Sequence, residues 1–190
     1  MRRCCFSVYK GRQLLFIPSR NYGVQDYIAF MGNDNSRESE RRGVNMILHN
    51  KRVAIFNIAN KHSIAWAIAK SMDSLGAELI LGYQNERAKG KVEALIGELS
   101  RPPLALVQCD VTDDAQITEA MTAVKDVAGT LDGLVHALAF APREALENPY
   151  IETSREAFAT ALDISAYSLV ALCNAFADVF SPGAGVVTLT

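Results

Sequence analysis

From Arg52 onward the chain alternates short apolar runs with longer amphipathic ones, and this alternation restricts the possible fold more than any other feature. Val53-Ala-Ile-Phe56 is an unbroken apolar run of strand length, suited to a strand covered on both faces. Ile64, Ile68, Met72 and Leu75 then recur at spacings of four, four and three, which predicts a helix with these four on its inner face and Gly76 at its end. Leu79-Ile-Leu81 predicts a second strand. Ala88, Val92, Leu95, Ile96 and Leu99 form the next helical stripe, stopped at Arg101-Pro-Pro103 because proline lacks the N–H that would continue it. A third strand is expected from Leu104 to Cys109. It leads into a helix capped by Asp113 or Asp114, with Ile117, Met121, Val124 and Ala128 facing inward. The fourth strand is Leu134 to Leu138. Thr153-Ser-Arg-Glu156 has the capping-box pattern and predicts a long helix to about Phe180, halted by Ser181-Pro-Gly183 and followed by a fifth strand from Val186.

Strands separated by helices cannot pair as hairpins; right-handed crossovers must join them into a parallel sheet with helices on both faces. The expected fold is therefore α/β, a Rossmann-like doubly wound parallel sheet occupying residues 46–190, with no internal repeat and no second domain. The 190 residues suffice for one sizeable core. The run ends on its fifth strand, so the expectation is a sheet truncated there, with further sequence to follow.

Residues 1–45 have a different character. Arg2, Arg3, Lys10, Arg12 and Arg20 precede the first acid, a polar stretch runs from Gly32 to Gly43, and no helical or strand period is visible. The segment reads either as an organelle transit peptide or as a mis-assigned start, with Met46 the true first residue. It is expected to add nothing to the core. The second reading implies a cytoplasmic protein, the first a plastid or other organelle.

A net charge of −2 without basic clusters removes the general attraction to nucleic acid or anionic lipid, leaving a small molecule or a protein as the expected partner. No run approaches the ~20 uninterrupted apolar residues of a membrane span. Cys4, Cys5, Cys109 and Cys173 suggest neither a disulfide framework nor a metal site, which favours a reducing, intracellular compartment. His49, His62 and His136 are scattered, so no bound metal is expected.

In a doubly wound sheet ligands lie beyond the carboxyl ends of the strands, so the residues after each strand carry the functional information. The loop Asn57-Ile-Ala-Asn-Lys-His-Ser-Ile-Ala65 offers small residues at Ala59, Ser63 and Ala65 and a helix N-terminus, the requirements of a pyrophosphate-binding turn. An ordinary strand-to-helix loop with a serine cap reads the same. After the second strand, Gln84 stands where many dinucleotide folds carry an acid for the adenosine ribose hydroxyls, which it can bond without a charge; a solvated polar turn is the alternative. Asp110 after the third strand can accept from an adenine amine or serve only as a turn residue. The run His136-Ala-Leu-Ala-Phe-Ala-Pro-Arg143 is the most distinctive, because small residues at 137, 139 and 141 let a flat ring and a ribose lie against the backbone. His136 itself invites a role as general acid or base, but its place at the end of a buried strand favours a satisfied core histidine.

Taken together, several segments resemble the bacterial and plastid enoyl-acyl-carrier-protein reductases, divergent short-chain dehydrogenases. They are Lys51-Arg52, the loop from Asn57 to Ala65, Tyr83-Gln84, Cys109-Asp-Val-Thr112, Asp132-Gly-Leu-Val-His136, Ala139-Phe-Ala-Pro142 and Leu162-Asp-Ile-Ser-Ala-Tyr-Ser168. The resemblance covers about residues 47 to 190 in one register. It implies hydride transfer from NADH to the β-carbon of a trans-2-enoyl thioester carried on acyl carrier protein. The positions it assigns to the cofactor are Asn57, Ala59, Ser63, Ile64, Gln84, Asp110, Val111, Ala137, Leu138 and Ala139; Ala141 and Leu146 fall beside the acyl substrate. The helix over 154–180 resembles the one that packs between subunits of family tetramers.

This chain departs from the family at Asn57, where glycine is usual. Asparagine tolerates the left-handed backbone such a turn needs, and its side chain is expected to face the pyrophosphate. The family's catalytic tyrosine and lysine follow the fifth strand and are expected downstream of Thr190, so the 190 residues alone are expected to be inactive. A non-enzymatic nucleotide-binding protein and another short-chain dehydrogenase are the alternatives, each distinguished by the residues after the fifth strand.

Overall fold

The computed structural model describes residues 6–10, 13–16 and 46–189. Five parallel strands form the body of the sheet: β3 (Arg52–Phe56), β4 (Glu78–Tyr83), β5 (Ala105–Gln108), β6 (Leu131–His136) and β7 (Phe180–Leu189). They lie in the order β5-β4-β3-β6-β7, so the chain winds outward from β3 in one direction, then returns to β3 and winds in the other. The doubly wound fold expected from the sequence is borne out. The switch point falls between β3 and β6, and the loops leaving these two neighbours diverge from a common crevice.

The helices are α1 (Ile64–Ser74), α2 (Glu86–Glu93), α3 (Asp114–Ala128), α4 (Arg143–Glu147), α5 (Arg155–Leu162) and α6 (Ser168–Ala175). Alternate residues of β3 feed two cores, as the two-residue period of a strand requires. Ala54 and Phe56 join Ile80, Leu134, α3 residues Ile117, Ala120 and Val124, Leu172 of α6 and Phe176 just after that helix. Val53 and Ile55 join Leu79, Leu81, Val135, Val92 and the α1 residues Ala65, Trp66 and Ala69. The Phe56 ring meets Phe176 edge-on at 5.7 Å. It also lies so close to Gly82 that a Cβ there would come within 2.5 Å of Phe56 Cδ1, which is why β4 carries glycine beside so large a neighbour.

The inner face of α1 differs from the expectation. Ala65, Trp66, Ala69 and Asp73 are buried, while Ile64 is exposed and Ile68, Met72 and Leu75 lie at the margin. The buried stripe is offset by one position because Trp66, the largest side chain of the helix, fills the core, and Asp73 is drawn inward by Ser100, whose N–H and hydroxyl donate to its carboxylate at 2.7 and 2.8 Å. The helix ends as expected, with Gly76 at φ +94 and Ala77 N–H reaching back to the Met72 carbonyl.

The second helical stripe is shorter than its spacing suggests. The helix stops at Glu93 and a single 3₁₀ turn, Ile96–Glu98, completes the segment, Gly90 and Gly97 having lowered helix propensity on either side. The long helix expected over 154–180 is three pieces. α5 passes through a π-helical segment, Asp163–Tyr167, into α6, which ends at Ala175. Ser154, not Thr153, is the N-cap, accepting from Ala157 N–H, and the buried Thr153 hydroxyl has no partner among the described residues. Arg155–Ala175 has the length of a membrane-crossing helix, but Asp163 interrupts it and Leu172 packs in the sheet core.

Ser181-Pro-Gly183 does not stop a helix; it lies inside β7, where the register against β6 shifts between Leu131 and Gly133 and Gly183 takes φ +84. Two further differences fall in the first 45 residues. β1 (Phe6–Lys10) and β2 (Gln13–Phe16) are strands, β1 pairing antiparallel with the outer edge of β7 and β2 with β1. An open strand edge offers backbone donors and acceptors to any extended segment, whatever its side-chain period, so no periodicity announced them. The remainder of the expected 1–45 extension lies outside the described residues.

At the amino ends of the strands, Asp132 fastens three of them. It accepts from Lys51 Nζ at 3.1 Å, from the Arg52 backbone N–H at 3.0 Å and from Ser181 Oγ at 3.2 Å. This end of the sheet is a structural clasp. The loops expected from the sequence to carry chemistry leave from the opposite end.

Candidate functional site

Asn57 follows β3 directly and holds φ +70, the left-handed geometry expected of it. Its side chain is turned differently from the expectation: Nδ2 donates to the Ala137 carbonyl at 3.1 Å, crossing the switch point from the loop after β3 to the loop after β6. The buried Ile58 anchors the next step of the chain, its N–H bonding the Gly82 carbonyl at 3.0 Å.

The loop then tightens around Asn60. Its side-chain oxygen accepts from His62 N–H at 2.8 Å, and its carbonyl accepts from Ser63 Oγ at 2.8 Å. Ser63 caps α1 by accepting from Trp66 N–H at 3.3 Å. The first turn of α1 contains no acidic residue, so the positive end of its dipole is not neutralised from within the helix. Ile64, more than half exposed, stands at the mouth of this turn.

Gln84 and Asp110, from the loops after β4 and β5, are in contact, with Nε2 donating to Oδ2 at 3.1 Å. Asp110 Oδ1 accepts from Thr112 N–H at 3.0 Å and from its hydroxyl at 2.7 Å, while the Asp110 N–H donates to Gln116. Partial burial pushes the Asp110 carboxyl upward, but the Thr112 and Gln84 donors outweigh it and hold it below the ordinary carboxylate range. The group is a fixed anion with one oxygen still able to accept another bond. Val111, beside it, is buried.

The loop after β6 runs past half-buried Ala137 and buried Leu138 to exposed Ala139 and Phe140 and half-buried Ala141. Leu146, 67% exposed, projects from α4. Beneath this loop His136 is fully buried, with Nδ1 at 2.9 Å from Thr188 Oγ1 and Nε2 at 2.7 Å from Ser168 Oγ. Ser168 gives its own proton to the Ile164 carbonyl, so the ring must donate from Nε2 and accept at Nδ1. Burial pushes the imidazole down to about 4, and the neutral ring is the satisfied core histidine expected from the sequence.

The family model for enoyl-(acyl carrier protein) reductase matches residues 58–190, more than half of the chain, beginning one residue after Asn57. This chain belongs to the enoyl-acyl-carrier-protein reductase family. Among curated relatives, the NADH-dependent enoyl-[acyl-carrier-protein] reductase FabI of Enterococcus faecalis is 46% identical over 145 residues, covering 76% of this chain and 56% of that protein. The NADPH-dependent FabI of Staphylococcus aureus is 38% identical over 143 residues, covering 75% of this chain and 56% of its own. The chain thus spans about half the length of the curated relatives it matches.

Among solved structures, the enoyl-acyl carrier protein reductase of Bacillus cereus with NADP+ and indole naphthyridinone superimposes with a TM-score of 0.67 at 37% identity, covering 70% of this chain and 52% of that one. The reductase of Anaplasma phagocytophilum in complex with NAD gives 0.67 at 32% identity, covering 73% and 52%.

Within this reductase fold the residues singled out from the sequence converge unequally. Asn57, Ala59, Ser63 and Ile64 share the first loop and its helix, Asn57 meets Ala137, and Gln84 meets Asp110. Leu146 lies exposed on a separate short helix that the sequence pattern did not reveal. Ser165 was missed as a site residue, although it belongs to the Asp-Ile-Ser segment that carries the family resemblance. Its hydroxyl reaches the backbone of Phe140. The available signal was a serine within an apolar helical stretch, a position where the hydroxyl must find a backbone partner or face water.

Proposed function

We propose that residues 46–190 form the dinucleotide-binding part of an enoyl-[acyl-carrier-protein] reductase of type II fatty-acid synthesis. The observation that carries this reading is the bridged switch point: Asn57 and Ala137 join across the crevice where a doubly wound sheet receives a dinucleotide. The residues present fit such a cofactor. The capped, unneutralised N-terminus of α1 suits a pyrophosphate, and the small side chains of Ala137, Ala139 and Ala141 leave room for a flat ring. Asp110 and Gln84 supply an acceptor for an adenine amine and a partner for a ribose hydroxyl. The cofactor, when bound, supplies hydride to the β-carbon of the enoyl thioester.

The protein's own part, in this reading, is to bind and orient. Asn57, Ala59, Ser63 and Ile64 receive the pyrophosphate side, Gln84, Asp110 and Val111 the adenosine, and Ala137, Leu138 and Ala139 the nicotinamide end. Ala141 and Leu146 face the acyl chain. The proton donor and the ribose-binding lysine are assigned to positions beyond Thr190 by the family pattern, so the electrostatic stabilisation of the enolate is not supplied by these residues.

NADH is the proposed cofactor. A 2′-phosphate on the adenosine ribose would approach the Asp110 anion and Glu86, with Lys61 and Arg87 the cations set against them. The NADH-dependent relative from Enterococcus faecalis supports the same choice. The proposed substrate carrier is acyl carrier protein, and the proposed assembly is a homotetramer packed through α5 and α6, where Phe158, Leu162 and Val170 lie exposed. The proposed location is cytoplasmic.

The test is NADH oxidation driven by crotonyl thioester, measured for the protein translated from the complete reading frame and for the 190-residue chain. The reading expects turnover from the first and none from the second. Turnover by the 190 residues would show that the catalytic assignment is wrong, and a folded complete protein that binds cofactor without turnover would favour the non-enzymatic alternative.

A further inference from the structure

Phe140 occupies the middle of the loop after β6, between Ala139, matched to the cofactor, and Ala141, matched to the acyl chain. Its backbone N–H donates to Ser165 Oγ at 3.0 Å, and the same hydroxyl donates to its backbone carbonyl at 3.0 Å. One hydroxyl therefore satisfies both polar groups of a single backbone residue, spending its proton on the carbonyl and a lone pair on the N–H.

Ser165 reaches that position from the π-helical segment Asp163–Tyr167 between α5 and α6. An i→i+5 turn carries one residue more than an α-turn and so redirects the side chains that follow it, which is why such segments gather at functional sites. Here it sends two serines to the carboxyl end of β6: Ser165 to Phe140, and Ser168 to His136. The other end of the loop is held by Asn57 at the Ala137 carbonyl. Among the described residues, the loop from Ala137 to Ala141 is thus fastened by side chains from two distant segments and by no strand ladder.

We propose that Ser165 is a positioning residue for the cofactor and acyl pockets, fixing the wall between them at Phe140; the inference rests on the proposed reading of this crevice as a dinucleotide site. Phe140 is half exposed. Its backbone groups can therefore turn to water when the hydroxyl is removed, and the fold loses little. The wall, however, becomes free to move, and a bound dinucleotide must then order it again. Affinity should suffer where stability does not.

The experiment is to titrate the 190-residue chain with NADH by cofactor fluorescence and to follow exchange of the Phe140 amide, in the wild type, Ser165→Ala and Ser165→Thr. Ser165→Ala is expected to lose protection at Phe140 and to weaken NADH binding roughly tenfold, about what re-ordering one backbone residue costs, with little change in thermal midpoint. Ser165→Thr keeps the hydroxyl and is expected to restore both. Wild-type affinity in a Ser165→Ala chain that has lost Phe140 protection would overturn the positioning role, as would unchanged protection. Absence of NADH binding by a folded wild type would overturn the dinucleotide reading itself, and the inference with it.

Discussion

The Gln84 amide donates to the Asp110 carboxylate at 3.1 Å, joining the loop after β4 to the loop after β5 where the adenosine end of a dinucleotide is proposed to lie. The pair presents a fixed negative charge, with no cation bonded to it among the described residues. Gln84→Arg would pair with Asp110 and add a cation for a 2′-phosphate. The expected result is a shift of about tenfold in the ratio of NADPH to NADH affinity, or ~1.4 kcal/mol. Competitive titration with the two cofactors measures it; an unmodified protein that uses NADPH as well as NADH would contradict the assignment.

Asn57 separates backbone conformation from side-chain chemistry. At φ +70 a β-branched residue is strained, so Asn57→Val should destabilise the fold by roughly 1–2 kcal/mol. Asn57→Gly accepts the backbone but removes the bond to Ala137, and its midpoint should stay close to the wild type. Thermal unfolding of the two variants checks the order; equal losses would show that the left-handed turn is not maintained in solution.

His136 gives the fold a pH dependence of defined sign. Burial pushes its ring from 6.5 down to about 4, so the folded chain holds it neutral. The unfolded chain takes up a proton as the pH falls below 6.5, while the folded chain does not until about 4. The contribution is complete above that window, is lost progressively within it, and changes little below it, amounting to about 3 kcal/mol. Asp110 and Asp132, both held below 3.8, lose theirs only at lower pH. Unfolding midpoints compared at about pH 7.5 and about pH 4.5 should fall in the wild type and fall less in His136→Gln.

Asp132 predicts the opposite separation, stability without function. Asp132→Asn weakens the bonds from Lys51, Arg52 and Ser181 at the amino ends of the strands, at an expected cost of about 1–3 kcal/mol. Cofactor affinity should be unchanged, since the loops that form the crevice leave the other end of the sheet. Denaturant midpoints and NADH titration on the same sample test both halves.

The elements legible in the sequence were those with a strong local period. Val53–Phe56 and Leu79–Leu81 announced buried strands because parallel strands are apolar on both faces, and their parallel pairing followed from the helices between them. The face of α1 was misread by one position because four aliphatics at helical spacing outweighed a single tryptophan in the pattern, whereas the core is built on Trp66. The π segment and the early start of β7 escaped because neither depends on side-chain period: one follows from an inserted residue in the helical ladder, the other from a bulge opposite Leu131. The candidate site was legible as loops but not as contacts. Nothing in the spacing of Asn57 and Ala137, or of Gln84 and Asp110, shows that residues this far apart in sequence meet; only the strand order brings them together.

The measurement that bears most directly on the account is a map of backbone amide shifts in the labelled 190-residue chain on addition of NADH. The expected result is change at Asn57, Ala59, Ser63 and Ile64, at Gln84, at Asp110 and Val111, and from Ala137 to Phe140, with the amides around Asp132 and Lys51 unmoved. Shifts gathered at the amino ends of the strands, or no shifts in a folded chain, would contradict it.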